Sequence, residues 1–354
     1  MKILFLLKYD KLGASSRVRA YQFFPFFERE GYKTQFEPLF SNKYLQIYNN
    51  FGKKDILLVV KSYWRRIIKL LKTKEFDLVW IEKEIFPFFP SCFETFLKYT
   101  GTKYIVDYDD AIFHNYDLNP NIIVKMLLRN KINRVMKNAS AVIVGSDYIY
   151  AKAMRAGAKK IFFIPSSVDL QKYTYQKRFN EKNFIIGWIG SRSTGQYLNL
   201  IYEPLSYLSK HYDITLRLMG YRTDIFRFMP TEIFEWKEEN ENWFLNSIDV
   251  GIMPLNNGPW ERGKCGYKLI QYMACGRPVI ASPVGENVKI VRHGENGFLA
   301  SLGDEWIEYL IKLINSVELR KKLGENGRKV VEQNYSTEHN FIKLIEIIKN
   351  VINE

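Results

Sequence analysis

The stretch FIIGWIGSRSTGQYL, residues 184–198, decides the fold because it joins a buried strand to a turn of small residues and the start of a helix. Its apolar run, Phe184–Ile189, is followed directly by Gly190 and several hydroxyl-bearing residues. A similar arrangement begins at Lys2–Leu7, which leads to the small-residue turn Gly13–Ser16. Two such strand–turn–helix segments predict two α/β units, each built on a parallel sheet.

Short apolar runs alternate with helical stretches along the whole chain, a pattern that is typical of βαβ units. We predict a first sheet with strands at Lys2–Leu7, Leu78–Ile81, Tyr104–Val106, Ala141–Val144 and Ile161–Ile164. We predict a second sheet with strands at Phe184–Ile189, Thr215–Met219, Val250–Met253 and Pro278–Ala281. The fold class is therefore α/β.

A polar stretch between the two series, YTYQKRFNEKN (residues 173–183), is typical of a linker. We therefore predict Rossmann-like domains over residues 1–180 and 181–335. Residues 336–354 place apolar side chains at helical spacing, and Ser336 or Thr337 is a suitable N-cap. We expect this closing helix to pack back on the N-terminal domain.

The composition supports two folded domains and shows no metal or disulfide framework. The chain has 354 residues and is 47% apolar, which is ample for large cores. Cys92, Cys265 and Cys275 form no CxxC pair and have no His partners, which favours a reducing cytoplasm. The first apolar run ends at Lys8 without a cleavage site, and no later run reaches the length of a membrane span. We expect a soluble or peripheral protein.

The two small-residue turns are candidate phosphate sites, because exposed N–H groups at a helix start attract anions. Gly13, Ser15 and Arg17 supply these groups in the first turn. Gly190 and Arg192 supply them in the second. A bisphosphate bound between two domains needs donors from each side, which favours this interpretation. The alternative is that Gly13 only forms a tight turn and Ser15 only caps the helix.

The segment PWERGKCGYKLIQYMACGRPVIAS, residues 259–282, is the richest in candidate groups. A polar loop leads into a helix predicted near Tyr267–Ala274, which Gly276 ends. Lys264 and Lys268 are one helical turn apart at the mouth of this helix, so we predict that both face one diphosphate. Their charge would stabilise a departing nucleoside diphosphate. Two solvated surface lysines are the alternative.

The order of these motifs resembles the donor-binding segment of family 4, or group 1, glycosyltransferases. The resemblance rests on QYMACGRPVIAS (271–282), VGENVKIV (284–291) and HGENGFLA (293–300), together with IPSSVDLQKY (164–173), which is similar to the family's Pro-Asn-Gly-Val-Asp segment. It covers nearly the whole chain. It implies the GT-B fold, in which two Rossmann-like domains face each other across a cleft.

The resemblance also implies roles for individual residues. A Glu-x7-Glu motif spans the family's donor site, and its second position falls on Gln271, whose amide can still bind a ribose hydroxyl. Its first position falls on Gly263, with Glu261 two residues earlier. The family's usual Arg/Lys pair for the diphosphate is reduced to Arg192. We infer that the two lysines at the helix mouth take over part of its duty.

The segment YIVDYDDAIFHNYD, residues 104–117, places carboxylates and a histidine after a strand of the first sheet. The resemblance implies acceptor and sugar recognition in this region, and we predict Asp110 and His114 as the catalytic residues. The carboxylates can alternatively hold a metal or cap the next helix. Because the family is generally metal-independent, we predict neither a metal nor a cofactor beyond the donor substrate.

Two basic helices are predicted in the first domain of this chain, whose net charge is +14. They cover residues 56–72 and 124–137. The basic residues on them are Lys61, Arg65, Arg66, Lys69 and Lys72, and Lys125, Arg129, Lys131, Arg134 and Lys137. Such helices are suited to an anionic membrane surface, or are the solvated faces of ordinary Rossmann helices.

These features predict a glycosyltransferase that moves a sugar from a nucleoside diphosphate sugar to a carbohydrate or lipid-linked glycan, in cell-surface polysaccharide synthesis. The resemblance implies retention of configuration, and we expect a cytoplasmic protein, peripheral on the inner face of the membrane. One alternative is a non-catalytic sugar-nucleotide-binding subunit, because Gly263 and Gln271 replace the motif's acidic residues. A nucleic-acid-binding protein is disfavoured, since the basic residues lie on separate helices and not in one stripe.

Overall fold

The protein is described from a computed structural model, which covers residues 1–52, 55–176, 179 and 183–353. The chain divides into two compact units. Unit 1 comprises Met1–Ser166, Gly263–Cys265 and Asn340–Glu354, and unit 2 comprises Ser167–Arg262 and Gly266–His339. The predicted boundary near residue 180 lies outside the described residues, and the units separate between Ser166 and Ser167. Tyr173, the first residue of the predicted linker, is buried in unit 2.

Unit 1 contains a six-stranded parallel sheet with the order β2-β1-β3-β4-β5-β6. Its strands are β1 Lys2–Tyr9, β2 Lys33–Phe40, β3 Leu78–Glu82, β4 Tyr104–Tyr108, β5 Ala141–Val144 and β6 Ile161–Phe163. Its helices are α1 Ala14–Arg19, α2 Phe24–Arg29, α3 Asn42–Phe51, α4 Ile56–Leu70, α5 Cys92–Tyr99, α6 His114–Asp117, α7 Ile122–Leu128, α8 Lys131–Asn138 and α9 Asp147–Ala156. The carboxyl ends of all six strands therefore meet at one edge of the sheet.

Unit 2 repeats this plan with the strand order β12-β11-β10-β7-β8-β9, again all parallel. Its strands are β7 Phe184–Ile189, β8 Ile214–Met219, β9 Thr231–Phe234, β10 Val250–Met253, β11 Val279–Ala281 and β12 Gly297–Leu299. Its helices are α10 Arg192–Gly195, α11 Tyr202–Ser209, α12 Glu241–Asn246, α13 Pro259–Arg262, α14 Tyr267–Ala274, α15 Asn287–Ile290, α16 Gly303–Asn315 and α17 Val317–Asn334. Apolar clusters cover both faces of this sheet, as parallel strands require.

The last helix, α18 Thr337–Ile352, carries its apolar side into the core of unit 1. Ser336 caps it, because its hydroxyl accepts a hydrogen bond from the backbone of His339 at 3.2 Å. Phe341 packs edge-on against Phe27, with the ring centroids 5.0 Å apart. Two α/β units with parallel sheets confirm the predicted fold class.

All nine predicted strands are present, and the three strands that the pattern missed lie at or next to a sheet edge. β2 and β9 are half-exposed along most of their length, so they carry too many polar residues to form an apolar run. β2 also contains Pro38, which is tolerated at an edge. β12 has only three residues. Outer strands bury less surface, and their sequence signal is weaker for that reason.

The predicted basic helices are only partly correct. The second, 124–137, is two helices, α7 and α8, and Lys131 at the start of α8 is buried against Glu84. On α4, Arg66 is also buried, and its guanidinium donates to the backbone carbonyls of Leu7 and Glu37, both at 2.7 Å. The pattern does not reveal these internal partners, and a buried cation is stable only with them. Within the described ranges, no helix combines the length and the apolar character needed to cross a bilayer.

Candidate functional site

A cluster of charged side chains lies at the carboxyl edge of the unit 1 sheet, just after β3 and β4. Lys83 follows β3 and is 4% exposed. Its ammonium group lies 2.8 Å from Asp109 Oδ1 and 3.2 Å from Asp110 Oδ2. Lys83 has a positive φ of 67°, which is uncommon for a lysine. In this backbone conformation its side chain lies between the two carboxylates.

The electrostatics of this cluster keep both partners charged. Burial by itself lowers the pKa of Lys83, but Asp109 and Asp110 raise it, and the net pKa lies well above the ordinary value. Burial raises the pKa of Asp109, whereas Lys83 lowers it, and the result is a pKa of about 2. Asp110 is the more open of the two carboxylates, with 30% of its side chain exposed. It is therefore the acid of this cluster that a ligand can reach.

The turn after β1 contributes to the same cluster through a hydroxyl group. Ser15 donates to Asp109 Oδ2 at 2.6 Å and does not cap α1, whose N-cap is Gly13. Arg17 donates to the backbone carbonyl of Lys11 at 3.2 Å. The predicted phosphate role of these three residues, Gly13, Ser15 and Arg17, stays a prediction. What the turn does in unit 1 is fix the carboxylate of Asp109.

A buried ion pair lies next to the charged cluster, at the end of β4. Arg19 on α1 makes two hydrogen bonds to Asp107 on β4, at 2.9 and 2.5 Å, and a third to the carbonyl of Ile164. Burial lowers the pKa of Arg19, but Asp107 raises it above its ordinary value, whereas burial raises the pKa of Asp107 and Arg19 opposes that rise. This pair ties α1 to β4 and thereby holds the start of the Asp109 loop in place.

Three residues of the Glu-x7-Glu region, Gly263–Cys265, also belong to unit 1. Lys264 Nζ lies 3.9 Å from Asp110 Oδ1, and the thiol of Cys265 lies 2.9 Å from the carbonyl of Asp109. Lys264 thus belongs to the charged cluster of unit 1. The helix predicted near Tyr267–Ala274 is α14, and Lys264 lies in the loop before it. A shared diphosphate role for Lys264 and Lys268 stays a prediction.

The glycine at the first position of the motif is required by packing. A Cβ added to Gly263 would lie 2.5 Å from Ala111 Cβ and 2.9 Å from the Ala111 amide nitrogen. Backbone atoms cannot move aside cheaply, so a glutamate does not fit at this position. The departure from the family's motif is thus a consequence of how the Gly263–Cys265 segment packs on the loop after β4.

His114, the second predicted catalytic residue, is held in a separate group of contacts. Its Nδ1 lies 2.7 Å from Asp117 Oδ1 and its Nε2 lies 2.9 Å from the hydroxyl of Tyr148. Asp117 also pairs with Lys152 at 3.5 Å. Both ring nitrogens are thus engaged, and catalysis by His114 stays a prediction.

The polar group in unit 2 centres on Lys268, at the start of α14. Its ammonium lies 3.3 Å from Thr194 Oγ1 and 4.0 Å from the centroid of the Trp188 ring. A Cβ added to Gly190 would lie 2.6 Å from that ammonium and 2.6 Å from the indole ring. Glycine at 190 therefore allows Lys268 to reach the turn after β7, where Arg192 is exposed. Unit 2 thus brings Lys268 next to the residues that follow β7, and the predicted phosphate role of Gly190, Arg192 and Lys268 stays a prediction.

The other two residues predicted for the donor contact side chains of unit 2. The carboxylate of Glu261, on α13, accepts a hydrogen bond from the hydroxyl of Tyr197, which follows the Gly190 turn. Gln271 is 3% exposed, and its amide donates to the hydroxyl of Tyr173 at 3.0 Å. Tyr173 in turn donates to the buried carboxylate of Glu241 at 2.6 Å. Ribose binding by Gln271 stays a prediction.

The sequence reasoning missed several members of both groups. Lys83 lies between Glu82 and Glu84, and this alternation of charges at the end of an apolar strand is a signal that could have identified it. Trp188 is within the predicted strand β7, and nothing in the pattern marks it as a lysine contact. Among the residues that the structure describes, no group of three or more His, Cys, Asp or Glu side chains has the arrangement of a metal site.

Residues 185–316 match the family described as "Glycosyl transferases group 1". This range begins in β7 and ends just after α16. Over these residues the chain is similar to the group 1 glycosyltransferases. A similar protein is the capsular polysaccharide biosynthesis glycosyltransferase CapM of Staphylococcus aureus, which is 28% identical over 178 residues, or 46% of this chain and 45% of CapM. The chain thus spans about half or less of the length of the first curated relatives that it matches.

Solved structures similar to this chain confirm the GT-B fold that the resemblance implied. Sucrose-phosphate synthase from Thermosynechococcus elongatus superposes with a TM-score of 0.73 at 14% identity, over 100% of this chain and 99% of that one. HepE of Anabaena, solved in complex with UDP, gives a TM-score of 0.68 at 16% identity, over 99% and 100%. At this level of identity the likeness concerns the fold.

Proposed function

We propose that this protein transfers a glycosyl group from a nucleoside diphosphate sugar to a carbohydrate or lipid-linked glycan acceptor, with retention of configuration. The observation that carries the proposal is Lys268, whose ammonium lies beside Thr194 on α10, the short helix that follows the turn after β7. A lysine and a hydroxyl at a glycine turn, next to a helix start, are groups that bind a diphosphate. The match of residues 185–316 to the group 1 glycosyltransferase family supports the same donor class.

In this proposal Lys268 stabilises the negative charge that develops on the departing diphosphate. Glu261, on α13, accepts a hydrogen bond from Tyr197 and is suited to accept another from a donor hydroxyl. UDP is the first nucleotide to test, because HepE is named in complex with UDP and with UDP-glucose. CapM, named for capsular polysaccharide biosynthesis, supports a cell-surface polysaccharide as the product.

We assign the acceptor side to the charged cluster of unit 1. Asp110 is open to solvent at the carboxyl edge of the sheet, between Lys83 and Lys264. A carboxylate in this position can accept a hydrogen bond from an acceptor hydroxyl and orient it for transfer. The three free cysteines fit a reducing compartment and therefore a cytoplasmic location.

Calorimetric titration of the purified protein with UDP, GDP, ADP and CMP tests the donor site. Saturable binding of one nucleotide is expected, and its loss in Lys268→Ala would assign it to the turn after β7. Slow release of sugar from the matching nucleotide sugar then separates an enzyme from a non-catalytic binding subunit, which would bind without turnover. If no nucleotide binds, the proposal is wrong.

A further inference from the structure

The outward face of α4 is apolar, which is unusual for a Rossmann helix. Ile56, Leu57, Val60, Trp64, Ile68 and Leu71, at its end, are all exposed, by 46% to 82%. They recur at the spacing of a single helix face, opposite the buried residues Arg66 and Leu70. Lys61, Arg65 and Lys72 are exposed along one border of this face. The side of α4 that meets water therefore has an apolar stripe beside a basic row.

The short helix α7 shows the same combination. Ile122, Ile123, Met126 and Leu127 are 63% to 73% exposed, and only Leu128 is buried. Lys125 and Arg129 are exposed beside them. Asn121 caps the helix through two backbone amides, so its conformation is fixed although little of it is packed. Four adjoining aliphatic side chains facing solvent are a mark of a surface that binds something apolar.

Exposed aromatic residues of the loop after β3 contact α4 on one side and α6, next to α7, on the other. Phe89, 48% exposed, has its ring 5.8 Å from that of Tyr63 on α4. Phe88, 52% exposed, has its ring 5.5 Å from that of Tyr116 on α6, the helix that precedes α7. Leu118, 53% exposed, follows α6. We call this set the apolar band: the exposed apolar residues of α4 and α7 together with Phe88, Phe89 and Leu118.

The charge around the apolar band identifies its occupant. The residues 56–72 and 118–131 contain no Asp or Glu, and their exposed charges are all positive. A second copy of the chain would bring like charges face to face in a symmetric contact, which is unfavourable. An anionic bilayer satisfies both features, since lipid tails take up the aliphatic groups and Trp64, and headgroups pair with the lysines and arginines.

We infer that the apolar band inserts into the interface of an anionic lipid bilayer. Phe88 and Phe89 of the apolar band lie on the loop after β3, which begins with Lys83, and Leu118 follows the short helix α6, which comes after the loop that carries Asp109 and Asp110. A lipid-linked acceptor in that bilayer would therefore present its sugar to the charged cluster of unit 1; this last step rests on the proposed function. Binding to the bilayer itself needs no sugar and no donor.

Vesicle flotation of the full chain tests this inference. We expect the protein to float with vesicles of phosphatidylcholine and phosphatidylglycerol and to stay largely unbound with phosphatidylcholine alone, because each Lys or Arg at the surface contributes about fivefold to binding. The triple variant Ile123→Ser, Met126→Ser, Leu127→Ser should bind at least about 100-fold more weakly, since each buried aliphatic side chain contributes roughly tenfold. The double variant Val60→Ser, Trp64→Ser tests α4 in the same way.

The matched control is Met154→Ser, Ile342→Ser, which replaces two exposed apolar residues of unit 1 outside the apolar band, on α9 and α18. It should float like the wild type. Nucleotide titration and circular dichroism of each variant establish that the protein is folded, independently of lipid. The inference is overturned if the wild type fails to float with anionic vesicles, or if the α7 variant floats as well as the control. Sedimentation velocity tests the alternative occupant, a second copy of the chain. If the wild type self-associates but does not bind vesicles, and the α7 variant is monomeric, the apolar band is a contact between two copies and the inference is overturned.

Discussion

Replacing Lys268 by alanine removes the ammonium group around which the turn after β7 is organised. The group lies 3.3 Å from Thr194 Oγ1 and over the face of Trp188, in a half-buried position at the start of α14. A phosphate oxygen bound at this turn would be within about 4 Å of it, where a pair of unit charges interacts by roughly 4 kcal/mol at an effective permittivity of about 20. Competition from water reduces the net value to about 2 kcal/mol, as for other hydrogen bonds to charged groups.

A loss of about 2 kcal/mol corresponds to a dissociation constant about 30-fold higher. Calorimetric titration with the nucleotide that binds the wild type measures this change directly. The control is Lys210→Ala, which removes an exposed lysine of unit 2 beyond α11 and should leave the affinity unchanged. Equal affinities in the Lys268 and Lys210 variants would refute the assignment of the diphosphate to this turn.

Three further predictions concern unit 1. Asp110→Asn should leave nucleotide affinity within about twofold and lower the rate of transfer about 100-fold, because the amide oxygen of asparagine is uncharged and polarises the acceptor hydroxyl less than a carboxylate does; full activity would assign Asp110 to structure alone. The pKa of Asp109 falls from 3.8 to about 2 on folding, so its ionised form stabilises the fold above about pH 4 and this stability is lost towards pH 2. Between pH 4 and pH 2 the free energy of unfolding in urea should fall by on the order of 2 kcal/mol more in the wild type than in Asp109→Asn. Parallel pH profiles of the two proteins would contradict this expectation. Gly263→Glu, which restores the family's motif, should lower the melting temperature by several degrees through the clash with Ala111, whereas the neighbouring Arg262→Glu should not.

The pattern of apolar runs was sufficient to predict both sheets, because central parallel strands are buried on both faces and β3, β4, β5, β7 and β10 contain almost only apolar residues. It was insufficient at the edges, where burial is partial. The same limit applies to charge. Arg66 and Lys131 have the spacing of surface residues, yet both are turned inward to meet internal acceptors.

The sequence was sufficient to predict where in the fold the candidate site lies. It was not sufficient to predict which of its side chains contact each other. Strand ends and glycine turns mark where a ligand-binding edge forms, and Asp110, Gly190 and Lys268 all lie there. Lys264 and Lys268 are close in sequence, yet Lys264 lies near Asp110 of unit 1 and Lys268 lies near Thr194 of unit 2. Which carboxylate contacts which lysine depends on loop conformations such as the positive φ of Lys83, and no periodicity encodes these.

The position of α18 has a consequence for how the protein is made. The apolar face of unit 1 that includes Phe23 and Phe27 is covered by side chains from residues 341–351. A ribosome must therefore synthesise all of unit 2 before unit 1 can bury that face, and the nascent chain carries an open aromatic surface throughout. Unit 2 lacks this dependence, since its strands and core clusters lie within residues 168–331. The segment translated first is thus the last to complete its core, and chaperone demand during synthesis falls on unit 1.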